Sequence, residues 1–133
     1  MASWVGKKYK LEKSDNFDNY MKALGVGMVL RTIGNKASAT VDLVKDDDGS
    51  YTLTTSSTFK TTVIKFKPGE VFDEETIDGR KVESVCTFEN ENKLVHEQKG
   101  EKPTTIIREF KDDEMVATLT IGDVTCVRTY KAA

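Results

Sequence analysis

Turn signals punctuate this chain at regular intervals from residue 46 onward. They read Asp46-Asp47-Asp48-Gly49, Lys67-Pro68-Gly69, Asp78-Gly79, Glu89-Asn90-Glu91-Asn92, Gly100-Glu101-Lys102-Pro103, Lys111-Asp112-Asp113 and Gly122-Asp123. Between them the chain is rich in β-branched residues: 16 Thr, 13 Val and 6 Ile in 133 positions. Only two prolines, Pro68 and Pro103, interrupt it. β-Branched side chains fit a pleated, half-buried surface, and few prolines leave ladders unbroken. Short strands separated by evenly spaced turns predict an antiparallel meander closing as a barrel or sandwich.

One stretch departs from the strand pattern. Phe17, Tyr20, Met21 and Leu24 fall at i, i+3, i+4 and i+7, on one helical face. Ser14, Asp15 and Asn16 offer an N-cap, and Gly25 offers a stop. Val26, Val29, Leu30 and Ile33 repeat the spacing up to Gly34-Asn35. Two short helices are therefore expected between a first strand near residues 7–13 and the remaining strands, as a lid on one end of a barrel. The length suits one domain over 1–133 with a core of its own.

Alternation sorts the strand residues by face. One face reads Thr104, Ile106, Arg108, Phe110; others read Met115, Ala117, Leu119, Ile121 and Val124, Cys126, Arg128, Tyr130. Leu94, His96 and Gln98 share a face, as do Leu53, Thr55, Ser57 and Phe59. An inner surface carrying Arg, Gln, His, Thr and Ser is too polar for a dry core, because buried polar groups need partners. A guanidinium cannot shed its charge. With no acidic residue read onto these faces, Arg108 and Arg128 call for a hydrated cavity that receives an anion. A carboxylate fits a guanidinium bidentately, and the Tyr130 hydroxyl adds a hydrogen bond. Phe17, Tyr20, Met21, Leu53, Phe59, Ile106, Met115, Ala117 and Leu119 would cover an apolar tail. Alternation alone also admits a register one residue off, which would turn both arginines to solvent at strand ends.

Other chemistries find less support. Net charge is -2, from 20 Lys+Arg against 22 Asp+Glu, which disfavours a nucleic-acid reader. Two cysteines are too few for a disulfide scaffold, and Cys86, Cys126 and His96 lie on separate strands without metal-ligand clustering. No metal or cofactor is expected. The Asp46-Asp47-Asp48-Gly49 run lacks the later ligands of a calcium loop and reads as a solvated hairpin turn. No inward pair offers an activated nucleophile or an acid/base couple, so an enzyme is not expected. No segment has signal-peptide or membrane-span character, and a cytoplasmic location is expected.

Several segments together resemble the cytosolic fatty-acid-binding proteins of the intracellular lipid-binding (calycin) group, most closely the heart/muscle type. They are Tyr9-Lys10-Leu11, the run from Asn16 to Gly27, Ser57-Thr58-Phe59-Lys60, Phe72-Asp73-Glu74-Glu75 with Asp78-Gly79-Arg80-Lys81-Val82, Lys93-Leu94-Val95-His96 and Arg128-Thr129-Tyr130. Their order and spacing cover essentially the whole chain. The resemblance implies an all-β fold: a ten-stranded antiparallel up-and-down barrel, or β-clam, with a two-helix lid between the first and second strands. It implies a carrier of long-chain fatty acids whose carboxylate is held by Arg108, Arg128 and Tyr130. A retinoic acid or other acidic hydrophobic ligand is the alternative. The portal is expected between the second helix, with Ile33, the turn carrying Phe59, and the turn carrying Ile77 and Asp78. A monomer is expected, with Lys22, Arg31 and Lys36 touching anionic membranes transiently. The opening Gly6-Lys7-Lys8-Tyr9 is one residue longer than the family's usual Gly-x-aromatic, which puts the first strand's register in question.

Overall fold

A computed structural model describes residues 2–58 and 60–133. Ten strands form one sheet: β1 (Lys8–Asp15), β2 (Ala39–Lys45), β3 (Tyr51–Ser57), β4 (Thr61–Phe66), β5 (Phe72–Glu75), β6 (Lys81–Asn90), β7 (Lys93–Lys99), β8 (Thr104–Phe110), β9 (Glu114–Ile121) and β10 (Val124–Ala132). Two helices, α1 (Phe17–Leu24) and α2 (Met28–Lys36), lie between β1 and β2. The sheet order is β4-β3-β2-β1-β10-β9-β8-β7-β6-β5, and every described pairing is antiparallel. The barrel is thus nearly closed, with β4 and β5 as its two ends in the hydrogen-bonding order.

The alternation expected from the sequence runs through the long strands. In β2, Ala39, Val41 and Leu43 are buried; in β7, Leu94, His96 and Gln98; in β10, Cys126, Arg128 and Tyr130. β1 extends two residues beyond the expected stretch and carries a bulge where Leu11 pairs with Tyr130 and Lys13 with Thr129. Gly6 takes φ 71 in a turn where Lys7 N–H donates to the Trp4 carbonyl, so Tyr9 still points inward and is fully buried. The acidic run at 46–49 forms the expected hairpin turn, with Gly49 at φ 87. Its Asp46 and Asp48 carboxylates are engaged by the Ser50 and Thr52 hydroxyls.

The helices differ from expectation in detail. Asn16 precedes α1 in the left-handed region, and its side chain makes no cap bond. Its amide donates instead to the Thr125 carbonyl, 2.8 Å away, tying the start of the lid to β10. Ser14 and Asp15 belong to β1. Gly25 ends α1 at φ 90, as a left-handed glycine commonly does. Gly34 does not end α2; it lies inside it. A Cβ there would sit 2.9 Å from Met21 Sδ, so this glycine is the close-approach point between the helices.

α1 packs on β9 and β10, burying Tyr20 and Met21. α2 buries no residue, and Met28, Val29, Leu30 and Ile33 remain exposed. Its apolar stripe therefore lacks the core contact that the helical spacing suggested. Two clusters hold the barrel. One centres on Tyr9, Val41, Leu43, Leu53, Leu94, Phe110 and Met115, and includes Trp4, which stacks near Phe88. The other joins Tyr20 of the lid to Ile121 and Cys126.

Candidate functional site

The barrel encloses a cavity of about 420 Å³. That lies within the ~300–1,000 Å³ typical of small-molecule sites. Strand register sets its polar wall. Ala117 on β9 pairs with Arg128 on β10 and with Arg108 on β8. The two arginines thus flank one small residue at the same height, their Cα atoms roughly 10 Å apart by strand spacing. Tyr130 follows two residues after Arg128, on the same inward face.

The two guanidinium groups have different surroundings. Arg128 is 7% exposed, and its Nε–H is buried with no hydrogen-bond partner. Its Cζ lies 3.8 Å from the Phe17 ring centroid, so an aromatic face from the lid carries part of the charge. Arg108 is already engaged. Its Nη1 donates to His96 Nδ1 at 3.3 Å, and His96 Nε2 lies 2.8 Å from Glu74 Oε1. A guanidinium only donates, so Nδ1 accepts and the ring proton sits on Nε2, pointing at Glu74. The Glu74 carboxylate also accepts from Ser84 Oγ at 2.7 Å and Gln98 Nε2 at 3.1 Å, and Gln98 accepts from Thr104.

Protonation follows from these contacts. Burial pushes the Glu74 carboxyl up, but hydrogen bonds from His96, Ser84 and Gln98 outweigh it and leave its pKa lowered. Burial and the Arg108 charge push His96 down, against the pull of Glu74. The pair therefore stands as a carboxylate beside a neutral imidazole. Burial raises the Cys86 thiol to about 12 and the Cys126 thiol to about 11, so both are inert packing groups at neutral pH. At the rim, Arg80 Nε donates to Asp78 Oδ2 at 2.7 Å, and Thr76 donates to Asp78 Oδ1 at 2.6 Å.

Of the residues singled out from sequence, Phe17, Tyr20, Met21, Leu53, Ile77, Asp78, Ile106, Arg108, Leu119, Arg128 and Tyr130 line this cavity. Met115 and Ala117 do not: both are buried in the larger packed cluster. Met115 pairs with Phe110 and Tyr130, and Ala117 sits between the two arginines. Alternation assigned their face correctly but says nothing of height along the barrel. Ile33 is exposed on α2, because that helix spans the mouth without packing down. Phe59 lies outside the described residues. The expectation that no acid shares the inner faces is wrong: Glu74 does, its side chain 8% exposed. Phe72, Glu74 and Thr76 alternate inward, which was readable, but the run Asp73-Glu74-Glu75 resembles a solvated turn.

The residues from 5 to 133 match the family model described as the lipocalin / cytosolic fatty-acid binding protein family. The chain belongs to that family. It is 49% identical over 132 residues to a muscle fatty acid-binding protein of Schistocerca gregaria, covering 99% of this chain and 98% of the relative. A fatty acid-binding protein from Drosophila melanogaster brain tissue superposes with a TM-score of 0.92 at 62% identity, over 97% of this chain and 99% of that one. The Schistosoma mansoni fatty acid-binding protein in complex with arachidonic acid superposes at 0.94 with 45% identity, over 100% and 98%.

The Glu74–His96 pair makes stability pH-dependent. Both groups have folded pKa values below their ordinary 4.5 and 6.5. Their contributions are complete above those ordinary values and are lost as pH falls through the lower folded ones. Thermal melting should therefore be flat just above neutrality and decline below about pH 6.5. His96→Gln should remove the part of the decline between about pH 6.5 and 4.5. An unchanged profile in that variant would show that folding does not lower the His96 pKa.

Proposed function

We propose that this protein is a carrier that reversibly binds a long-chain fatty acid in its internal cavity, for transport of lipid through the cytosol. The observation that carries this reading is the buried Arg128 Nε–H without a partner in a cavity walled by apolar side chains. An anion with a hydrocarbon body meets both needs. Arg128 takes the carboxylate, Tyr130 orients it, and Arg108, tied through His96 to Glu74, lines the same wall. Tail burial provides the affinity, at ~0.8 kcal/mol for each methylene removed from water. The ion pair contributes specificity more than net energy, since desolvation offsets much of its attraction. The relative with arachidonic acid supports the ligand class.

The protein acts as a monomeric binding protein without catalysis. Thr76 and Ser84 use their hydroxyls as donors to the Asp78 and Glu74 carboxylates, which are themselves held by Arg80 and by His96 and Gln98, and the one buried imidazole is committed to Glu74 and Arg108. Delivery involves passing contact of α2 with anionic membranes. Its exposed Met28, Val29, Leu30 and Ile33, with Lys36 in its last turn, support this; Arg31 on the same helix is already paired with Asp18 at 3.2 Å. Each cation near such a surface contributes only ~1 kcal/mol, so the contact is brief.

Two outcomes are expected. Arg128→Leu should weaken binding of a long-chain acid roughly tenfold to a hundredfold, as loss of a buried charge partner does, while the matching alcohol changes little. Displacement titration of a fluorescent fatty acid measures both, and equal losses would remove Arg128 from the headgroup site. Transfer to vesicles should speed up with anionic lipid content and slow with salt. Rates indifferent to both would reject the membrane step.

A further inference from the structure

The charges inside the cavity do not cancel, and what remains has a definite size. At the rim, Asp78 and Arg80 answer each other at 2.7 Å. Lys60 lies in solvent. Deeper in, the charged lining residues among those described are Glu74, Arg108 and Arg128. Glu74 reaches Arg108 through one imidazole, and the chain of contacts Glu74–His96–Arg108 uses 2.8 Å and 3.3 Å links. A carboxylate and a guanidinium joined in this way leave Arg128 as the unanswered charge. The Nε–H of that same residue is buried without a hydrogen-bond partner.

We infer that Glu74 determines the headgroup charge this cavity accepts: one negative charge is matched by Arg128, and a second meets the Glu74 carboxylate without a free cation to oppose it. The inference rests on the carrier reading and refines its substrate class. It excludes doubly ionised amphiphiles, such as alkyl phosphates, that a cavity with two free arginines would take at least as well as acids. The cause is local. Glu74 is held ionised by three donors, Ser84, His96 and Gln98, so it cannot easily turn away or be neutralised. Two like charges in a site of low dielectric repel strongly. Arg108 thereby becomes a residue positioned by Glu74 rather than a free second clamp.

Hexadecyl sulfate and hexadecyl phosphate test this, because their heads share shape and differ in charge. At about pH 8, above the second phosphate pKa of about 6, the phosphate is a dianion and the sulfate a monoanion. Each competes against a fluorescent fatty acid, with hexadecanoate as reference. The wild-type protein should bind the sulfate about tenfold more tightly than the phosphate or better. Glu74→Gln should abolish or invert that ratio. Arg108→Met should weaken sulfate binding, and adding Glu74→Gln to it should restore binding, because the net cavity charge returns to its original value. Equal wild-type affinity for the two heads overturns the inference without any variant, as does a ratio unmoved by Glu74→Gln in protein that retains its strand circular dichroism. Failure of hexadecanoate itself to compete would instead overturn the carrier reading.

Discussion

A guanidinium keeps its positive charge wherever the fold puts it, and Arg128 is placed where water scarcely reaches. β10 runs between β1 and β9 in the middle of the sheet order, so ladders on both sides fix its register. A slip by one residue would turn Arg128, Cys126 and Tyr130 outward together. The lid depends on the same residue. Phe17 offers its ring to the guanidinium, and Asn16 ties the start of α1 to the Thr125 carbonyl on the same strand. Charge, strand and lid form one assembly, in which the Arg128 Nε–H is a buried donor without a partner.

The opposite treatment of Arg108 gives the cavity its asymmetry. Glu74, His96, Ser84, Gln98 and Thr104 form a continuous hydrogen-bonded wall from β5 to β8. Buried polar networks cost little only when their members are satisfied, and here both Glu74 oxygens and the Gln98 carbonyl oxygen accept hydrogen bonds. Such a wall cannot pack as a dry core, so space remains beside it. Below, Tyr9, Leu94, Phe110 and Met115 fill the barrel with ordinary close packing. The same ten-stranded sheet thus combines a solid base, packed around Tyr9, Leu94 and Met115, with a partly polar hollow under the lid.

Much of this was legible in the residues. β7 to β10 alternate cleanly between sharp turns, so the inward placement of His96, Gln98, Arg108, Arg128 and Tyr130 could be read directly. So could the buried face of α1, because four apolar residues share it and Gly25 ends it. Height along the barrel was not legible. Met115 and Leu119 share a face, yet one is packed in the base and the other lines the cavity. Glu74 was hidden by context: β5 has four residues, three of them acidic, and alternation over so short a strand looks like a solvated run. Gly34 read as a helix stop because a close approach between α1 and α2 leaves no local signature. Ile33 was placed at the portal by resemblance; it is exposed on α2 and does not line the cavity.

The most direct measurement is the ionisation of the bound headgroup, followed by ¹³C NMR of a carboxyl-labelled long-chain fatty acid in the wild-type protein as pH is lowered. If Arg128 holds the carboxylate away from water, the bound signal stays at its ionised position to well below the ordinary carboxylate pKa of about 4.3. A bound carboxyl that titrates at or above that value would show that no buried guanidinium meets it, and the account built on Arg128 would fail.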